Sequence, residues 1–478
     1  MKWTLDKQLF TGLAIIVFLF NCTLLTDLTW LWQGSETRIA NQIATQTYSG
    51  PIGWIIGQFS AGDPLNLVGM RLPGLLIGLL GILGMLFMVQ KILGNSLTLL
   101  FFLVLMNNYF LLGLMKIATA DIWSLILQAI GVLSIIRFLK TPTLFWRIIT
   151  YVSILLALWI QPISASLLFL LLPTLYYITT KQGKRLLFLN PWITVLVGLV
   201  VMYFSGQLQW LSTDHYLGWG QSQIGLFFMV VFLGVLPLLG FLLAGLVASA
   251  KNVRKSEEFS LLFLSWFVVA LLTQSPSVVV VMSIFIARHI QDFFHKNYPY
   301  GKYIQIYSTL HLIAFFFVAA FLMLGGFFIF QGTGFRSGLA FSFVYWVLSF
   351  ILIIGIYGRN RRFVYAGAFL TVLLTTPLFS LQVFPLLENQ RIHRKVLFEM
   401  EEQRIDPEWI MYEDSQIDPD ADNLLFYLEH QAPGSVKEEM VPDKVGLRLI
   451  QKTEVDSTDV VGWRDNFERR VYELKKEI

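Results

Sequence analysis

Apolar runs of about 20 residues recur from near the N-terminus to Pro385, and they constrain this chain more than any other feature. A helix of that length matches the hydrocarbon thickness of a bilayer and satisfies its own backbone polar groups there. The runs fall at about 8–27, 67–89, 96–114, 119–138, 147–160, 163–180, 189–205, 223–249, 259–273, 276–291, 304–330, 339–357 and 363–383. They predict an all-α polytopic membrane domain of about 13 helices. Only 14% of the residues are charged, against roughly a quarter in soluble proteins. The first run is long for a cleaved signal and many more follow it, so it reads as a retained helix. Its Cys22 is the single cysteine, which excludes an internal disulfide.

The net charge of +4 hides two opposite parts. From Leu386 onward there are 22 acids against 13 Lys and Arg, whereas the preceding residues hold 9 acids against 22. The boundary near Pro385 is therefore a change of solvent, and it divides the chain into a transmembrane domain, 1–385, and a small soluble domain, 386–478. Within the latter, Val445–Gln451 alternates like a strand, while Asn423–His430 and Phe467–Ile478 read as helices. A compact α+β module is expected.

Thirteen spans with a cytoplasmic N-terminus put 18 Lys and Arg of the membrane part on the inner side. Arg38, Arg71, Lys116 and Arg336 remain on the outer side. The positive-inside rule favours that arrangement, which makes the C-terminal domain extracytoplasmic. Glycines at 74, 78, 81 and 84 form a small-residue stripe in the second span, a pattern of close helix packing. Pro162, Pro173, Pro237 and Pro276 are expected to start or kink helices.

Ionisable groups at membrane depth are costly, so each is a functional candidate. Five acids fall at or near the outer face: Asp27, Glu36, Asp63, Asp121 and Asp214. Glu36 and Arg38 follow the first span directly, behind Trp30 and Trp32; a solvated ion pair at an interfacial Trp belt fits these residue types equally well. Asp121 begins a span beside Lys116 and Thr119, where a carboxylate is also favoured by the helix dipole alone. Asp214-His215-Tyr216 lies in a second outer loop with Trp210 and Trp219, a pairing common both in sugar sites and at plain interfaces. Arg71 is placed to meet a lipid phosphate or to snorkel to the interface. Asp418-Pro419-Asp420-Ala421-Asp422 imitates a calcium loop, but Asn423 stands where glycine is required. No His/Cys cluster has zinc spacing, and no Gly-rich phosphate loop or nucleic-acid partner is indicated.

Leu31-Trp32-Gln33-Gly34-Ser35-Glu36-Thr37-Arg38 resembles the first-loop signature, Trp-Gln-x-Asp-Glu-Thr-Arg, of the lipid A aminoarabinose transferases and their protein O-mannosyltransferase relatives, which are GT-C glycosyltransferases. Further stretches fit in order: Gly69-Met70-Arg71-Leu72-Pro73-Gly74, Ala118-Thr119-Ala120-Asp121, Leu233-Gly234-Val235-Leu236-Pro237 and Leu264-Ser265-Trp266. The resemblance covers most of residues 1–295. It implies a GT-C-like fold, a polyprenyl-phosphate-linked sugar as donor, and a lipid, glycan or protein acceptor on the outer face of the bacterial inner membrane. It departs at four places. Ser35 replaces the family's leading aspartate, the short first outer loop lacks the Lys-Pro segment before Gly53-Trp54-Ile55-Ile56, Ile160-Gln161-Pro162 replaces Thr-Lys-Gly, and Gln274-Ser275-Pro276-Ser277 replaces a lysine-bearing segment.

Two readings follow. In the first the chain is a glycosyltransferase with Glu36 as base, Asp121 as acceptor or structural partner, Arg38, Arg71 and Lys116 near the phosphate, and Asp214 and His215 in substrate binding. In the alternative it is a catalytically inactive GT-C-like scaffold, or a lipid-binding subunit of an envelope complex with a protein partner on its C-terminal domain. A transporter ranks below both, because polar residues within the spans are sparse and paired broken helices are not evident.

Overall fold

The structure, a computed structural model, describes residues 12, 15, 35–48, 50–180, 184–204, 224–253, 258–295, 297–329, 333–378, 410–413, 447–452, 462–464 and 471–476. Two short helices, α1 (Ser35–Thr45) and α2 (Pro51–Phe59), precede the bundle. It continues with α3 (Leu67–Leu93), α4 (Asn95–Met106), α5 (Tyr109–Lys116), α6 (Asp121–Lys140), α7 (Leu144–Ile160), α8 (Pro162–Thr179) and α9 (Leu186–Leu189). Then come α10 (Pro191–Phe204), α11 (Ile224–Leu233), α12 (Leu239–Val253), α13 (Glu258–Leu272), α14 (Val278–Phe293), α15 (Gly301–Ile329), α16 (Thr333–Tyr357) and α17 (Arg361–Leu378). Every apolar run expected after residue 66 is occupied by helix; the first run lies almost wholly outside the described residues. Five described helices are long and apolar enough to cross a membrane singly, or six if a bent pair counts as one span.

That pair is α4 and α5, which meet at 63°. Asn107 caps the end of α4, and the Asn108 side chain accepts from Leu111 N at 3.0 Å to start α5. The run expected at 223–249 is likewise broken, into α11 and α12, at a turn holding the cis Leu236–Pro237 bond. The two breaks touch, since Tyr109 N donates to Gly234 O at 3.0 Å. Each interruption thus supplies a partner for backbone that a broken span would leave unsatisfied in lipid. This corrects the expectation that paired broken helices are absent. The signal at 107–108 is two adjacent asparagines, too weak to interrupt a hydropathy run.

α6 is the central helix: most of its residues are buried, from Asp121 to Leu139. The glycine stripe of α3 is what lets it approach. A Cβ at position 81 would lie 2.5 Å from the Ile126 side chain of α6, and one at 78 would lie 2.9 Å from Met115 Cε of α5. At position 84 the nearest atom, Ile130 Cδ1, would be 3.6 Å away, an ordinary contact. Pro162 opens α8, and Pro173 and Pro377 sit inside helices. α14 has no exposed face over Val278–Ala287, and Trp266 of α13 is wholly buried beside it.

The described part of the C-terminal region is a sheet of β1 (Ile410–Glu413), β2 (Leu447–Lys452), β3 (Gly462–Arg464) and β4 (Val471–Lys476), ordered β1-β2-β4-β3. β1 runs parallel to β2, and β4 is antiparallel to both its neighbours. The strand read near Val445–Gln451 is β2. The helix read at Phe467–Ile478 is corrected, because Val471–Lys476 is a strand in full register with β2. Its local pattern is short and rich in charge, so pairing rather than propensity decides its state. The expected helix at Asn423–His430 and the calcium-like segment lie outside the described residues.

Gly81→Ala is expected to destabilise the protein by about 1–3 kcal/mol through overpacking, and Gly84→Ala to be close to neutral. Thermal unfolding in detergent checks both. Adding Ile126→Ala to Gly81→Ala should recover part of the loss, because the two sites share one contact.

Candidate functional site

Glu36 lies in the first turn of α1, where a carboxylate is favoured by the helix dipole. Glu36, Ala40 and Ile43 fall on one helical face, and all three are buried. Arg71, in the second turn of α3, meets Glu36 in a two-point bond: Nε to Oε1 at 3.0 Å and Nη2 to Oε2 at 3.0 Å. Both side chains are 0% exposed. The backbone N–H of Ala118, in the turn between α5 and α6, donates to the same Oε1 at 2.7 Å. Three segments far apart in sequence therefore close on one carboxylate. Beneath it, Ala40, Ile43, Ile56, Met70 and Ala118 form a small apolar cluster of their own.

The turn that reaches Glu36 also delivers Asp121. Thr119 N returns to Ile117 O at 2.9 Å, and three residues beyond Ala118 the aspartate begins α6. Asp121 is 4% exposed, and Gln161 Nε2, from the α7–α8 junction, donates to its Oδ1 at 2.7 Å. Gln161 Oε1 is buried without a hydrogen-bond partner. A buried amide oxygen left in that state costs about 1–3 kcal/mol, so it marks a place where a donor would be welcome. Lys116, 7% exposed, ends α5 in the same region.

From Asp121 a neutral polar network descends into the bundle. Ser124 and Gln128 follow at helical spacing on the same side of α6. Gln128 Nε2 donates to Ser124 Oγ at 2.7 Å and to Ser164 Oγ at 3.4 Å. Ser275 donates to Gln128 Oε1 and lies 2.6 Å from Ser277 Oγ, which accepts from Trp266 Nε1 at 3.2 Å. All of these groups are buried. From Pro162, the residue after Gln161, an apolar groove of about 470 Å³ opens between α8 and α10; Pro162, Ile163, Leu167, Leu196, Val200 and Phe204 line it.

Of the residues singled out in the sequence, Glu36, Arg71, Lys116 and Asp121 gather at one end of the bundle. The side chain of Arg38 lies outside the described residues, as do Asp214 and His215. Arg71 does not snorkel: it is buried and bonded to Glu36. Gln161 has no role in the sequence reading; its signals there are a departure from the resembled family's pattern and a polar residue directly before the proline that starts an apolar span. Among the described residues, no group of three or more His, Cys, Asp and Glu could hold a metal ion.

The fold is similar to that of a solved protein along nearly its full length. Over 98% of this chain and 97% of the other, it is similar to ArnT from Cupriavidus metallidurans bound to undecaprenyl phosphate, with a TM-score of 0.63 and 15% identity. The apo state of that protein gives 0.60 and 16% over the same shares. An Archaeoglobus fulgidus oligosaccharyltransferase covers 74% of this chain and 53% of its own length at 13% identity, with a TM-score of 0.37. No protein-family model matches the chain, and no curated protein matches it in sequence. The chain is thus a polytopic membrane protein with an ArnT-like fold.

Truncating either partner of the Glu36–Arg71 pair leaves a buried charge alone, so Arg71→Ala or Glu36→Ala should cost about 3–5 kcal/mol. The double variant Glu36→Leu/Arg71→Leu should recover much of that. Thermal unfolding followed by size-exclusion chromatography measures the difference.

Proposed function

We propose that this chain is a glycosyltransferase that moves a sugar from a polyprenyl-phosphate donor to an envelope acceptor on the outer face of the bacterial inner membrane. The observation that carries the reading is the buried Asp121–Gln161 pair, with an apolar groove between α8 and α10 that begins at Pro162, the residue after Gln161. A lipid-linked sugar has that same division, with an isoprenoid chain at one end and hydroxyls at the other. The groove takes the chain, and the acceptor atoms of Asp121 and Gln161 take hydroxyl donors. Lys116, with Arg38, is the cation for the phosphate. Asp214 and His215, from the second outer loop, complete the acceptor side. The N-terminus is cytoplasmic in this arrangement, residues 1–385 form the membrane domain, and residues 386–478 form an extracytoplasmic domain open to a protein partner.

We assign the base to Asp121 rather than to Glu36. Both Glu36 oxygens already accept from Arg71, and Oε1 also accepts from Ala118. To take a proton Glu36 would have to give up bonds that hold three segments together. It therefore acts as a positioning residue, and Arg71 serves the phosphate only through it. In the transfer, Asp121 takes the proton of the acceptor hydroxyl, whose oxygen attacks the sugar's anomeric carbon from the side opposite the phosphate. The anomeric carbon–oxygen bond breaks, and the polyprenyl phosphate leaves with the electron pair and negative charge near Lys116.

One observation favours the alternative, a catalytically inactive scaffold. Ser35 replaces the family's first acid, and the Glu36 that remains is closed off by Arg71.

Purified protein incubated with native membrane lipids, with polyprenyl-phosphate sugars followed by mass spectrometry, separates the readings. The transferase reading expects consumption by the wild type, reduced about 10²–10⁴-fold in Asp121→Asn, with the folded fraction unchanged. Glu36→Gln should lose activity only in step with its folded fraction. Consumption unaffected by Asp121→Asn would remove the base assignment, and no consumption with any lipid fraction would favour the scaffold.

A further inference from the structure

At the end of the bundle opposite Glu36 lies a second cavity, of about 220 Å³, that the transfer reading does not use. Its apolar wall is Leu99, Leu100 and Leu103 of α4, and its polar rim includes Ser96, Gln291, His295 and Arg361. Gln291 Nε2 donates to Ser96 Oγ at 3.2 Å and ties α14 to the start of α4. The Arg361 guanidinium sits over the Phe294 ring, 5.1 Å from its centroid. Stacking occupies the face of that group and leaves its N–H edge for a planar or tetrahedral oxyanion.

The charge around the cavity is one-sided. α4 and α17 both begin at it, so two helix N-termini, with their partial positive charge, converge there. The N-cap of α4, Gly94, gives no side-chain bond to the first turn, whereas Asn360 Oδ1 caps α17 by accepting from Arg362 N at 3.0 Å. Arg359, Arg362 and Lys302 are exposed in the same region. The opposing terms are the C-terminus of α14 and Asp292, the acid next to Gln291.

We propose that this pocket binds an anionic glycerophospholipid of the leaflet at that end, which is the cytoplasmic one by the positive-inside argument. The headgroup phosphate sits between Arg361, His295 and the first turn of α4, and the acyl root lies against Leu99 and Leu103. The pairing of a basic rim with a leucine wall fits a lipid rather than a soluble anion, because a free phosphate makes no use of the wall.

The test uses the full-length protein in detergent with phosphatidylglycerol, phosphatidylcholine or inorganic phosphate, read by native mass spectrometry and thermal unfolding. Phosphatidylglycerol should be retained and should raise the unfolding midpoint, while phosphatidylcholine should do neither. In Arg361→Ala/His295→Ala, two exposed positions, phosphatidylglycerol affinity should fall roughly tenfold or more with the lipid-free midpoint unchanged. Arg361→Lys, which keeps the charge but not the planar fork, should fall between. Equal retention of phosphatidylcholine, an equal midpoint shift with inorganic phosphate alone, or undiminished phosphatidylglycerol binding in the double variant would each overturn the proposal.

Discussion

The two-point bond between Glu36 and Arg71 is the interaction on which the site depends. Removing two charges from water costs several kcal/mol per ion, and the interior returns that only when geometry is good and further donors satisfy the carboxylate. Here both conditions hold, with two parallel N–H···O bonds and the Ala118 amide as a third donor. The pair therefore does more than offset its own burial, because it sets where three segments must be. The glycine stripe packs α3 on α6, but α1 is tied to α3 and to the turn before α6 by this bond and a five-residue apolar cluster.

That convergence determines where Asp121 stands. Two residues separate Ala118, fixed by Glu36, from Asp121, fixed by Gln161. The two acids at this end thus have different surroundings. Glu36 is neutralised by a guanidinium, while Asp121 takes a neutral amide and heads a network of serines and a glutamine. The segment that carries a lysine in the resembled family here contributes Ser275 and Ser277 to that network. Hydroxyls and amides can satisfy one another in a buried bundle without the desolvation cost of a charge. The replaced cation is accommodated by a hydrogen-bonded chain that requires no counter-ion.

Much of the fold was legible because hydropathy acts along the chain, where sequence shows it. The run boundaries and the glycine stripe at 78 and 81 correspond to helices and to a close approach. What sequence concealed depends on partners distant along the chain. Arg71 could be read as snorkelling or as meeting a phosphate, since its partner lies 35 residues away. The break at Asn107–Asn108 is stabilised by a carbonyl at Gly234, which local pattern cannot reveal. Val471–Lys476 carries enough charge to pass for a helix, and its strand state comes from β2. Gln161 registered only as a departure from a family pattern, whereas its meaning lies in a contact with Asp121 across two helices.

The departures from the family pattern take on one physical sense in this arrangement. Losing the first acid of the signature would leave a site with no base only if the remaining glutamate were the sole carboxylate within reach. Asp121 is delivered to the same end by the very turn that Glu36 anchors. Gln161 stands where the resembled family has a lysine, so this one of the aspartate's partners is a neutral donor. Asp121 can accept a proton without giving up an ion pair with that partner, because the Gln161 amide carries no charge. A carboxylate bonded to a lysine or arginine cannot do so without leaving the cation alone. In the transferase reading proposed above, the residue at 161 leaves Asp121 as the base at the head of α6, and the serine at 35 is the reason the first loop does not supply one. The two changes are complementary, and both act through the four residues from Ala118 to Asp121.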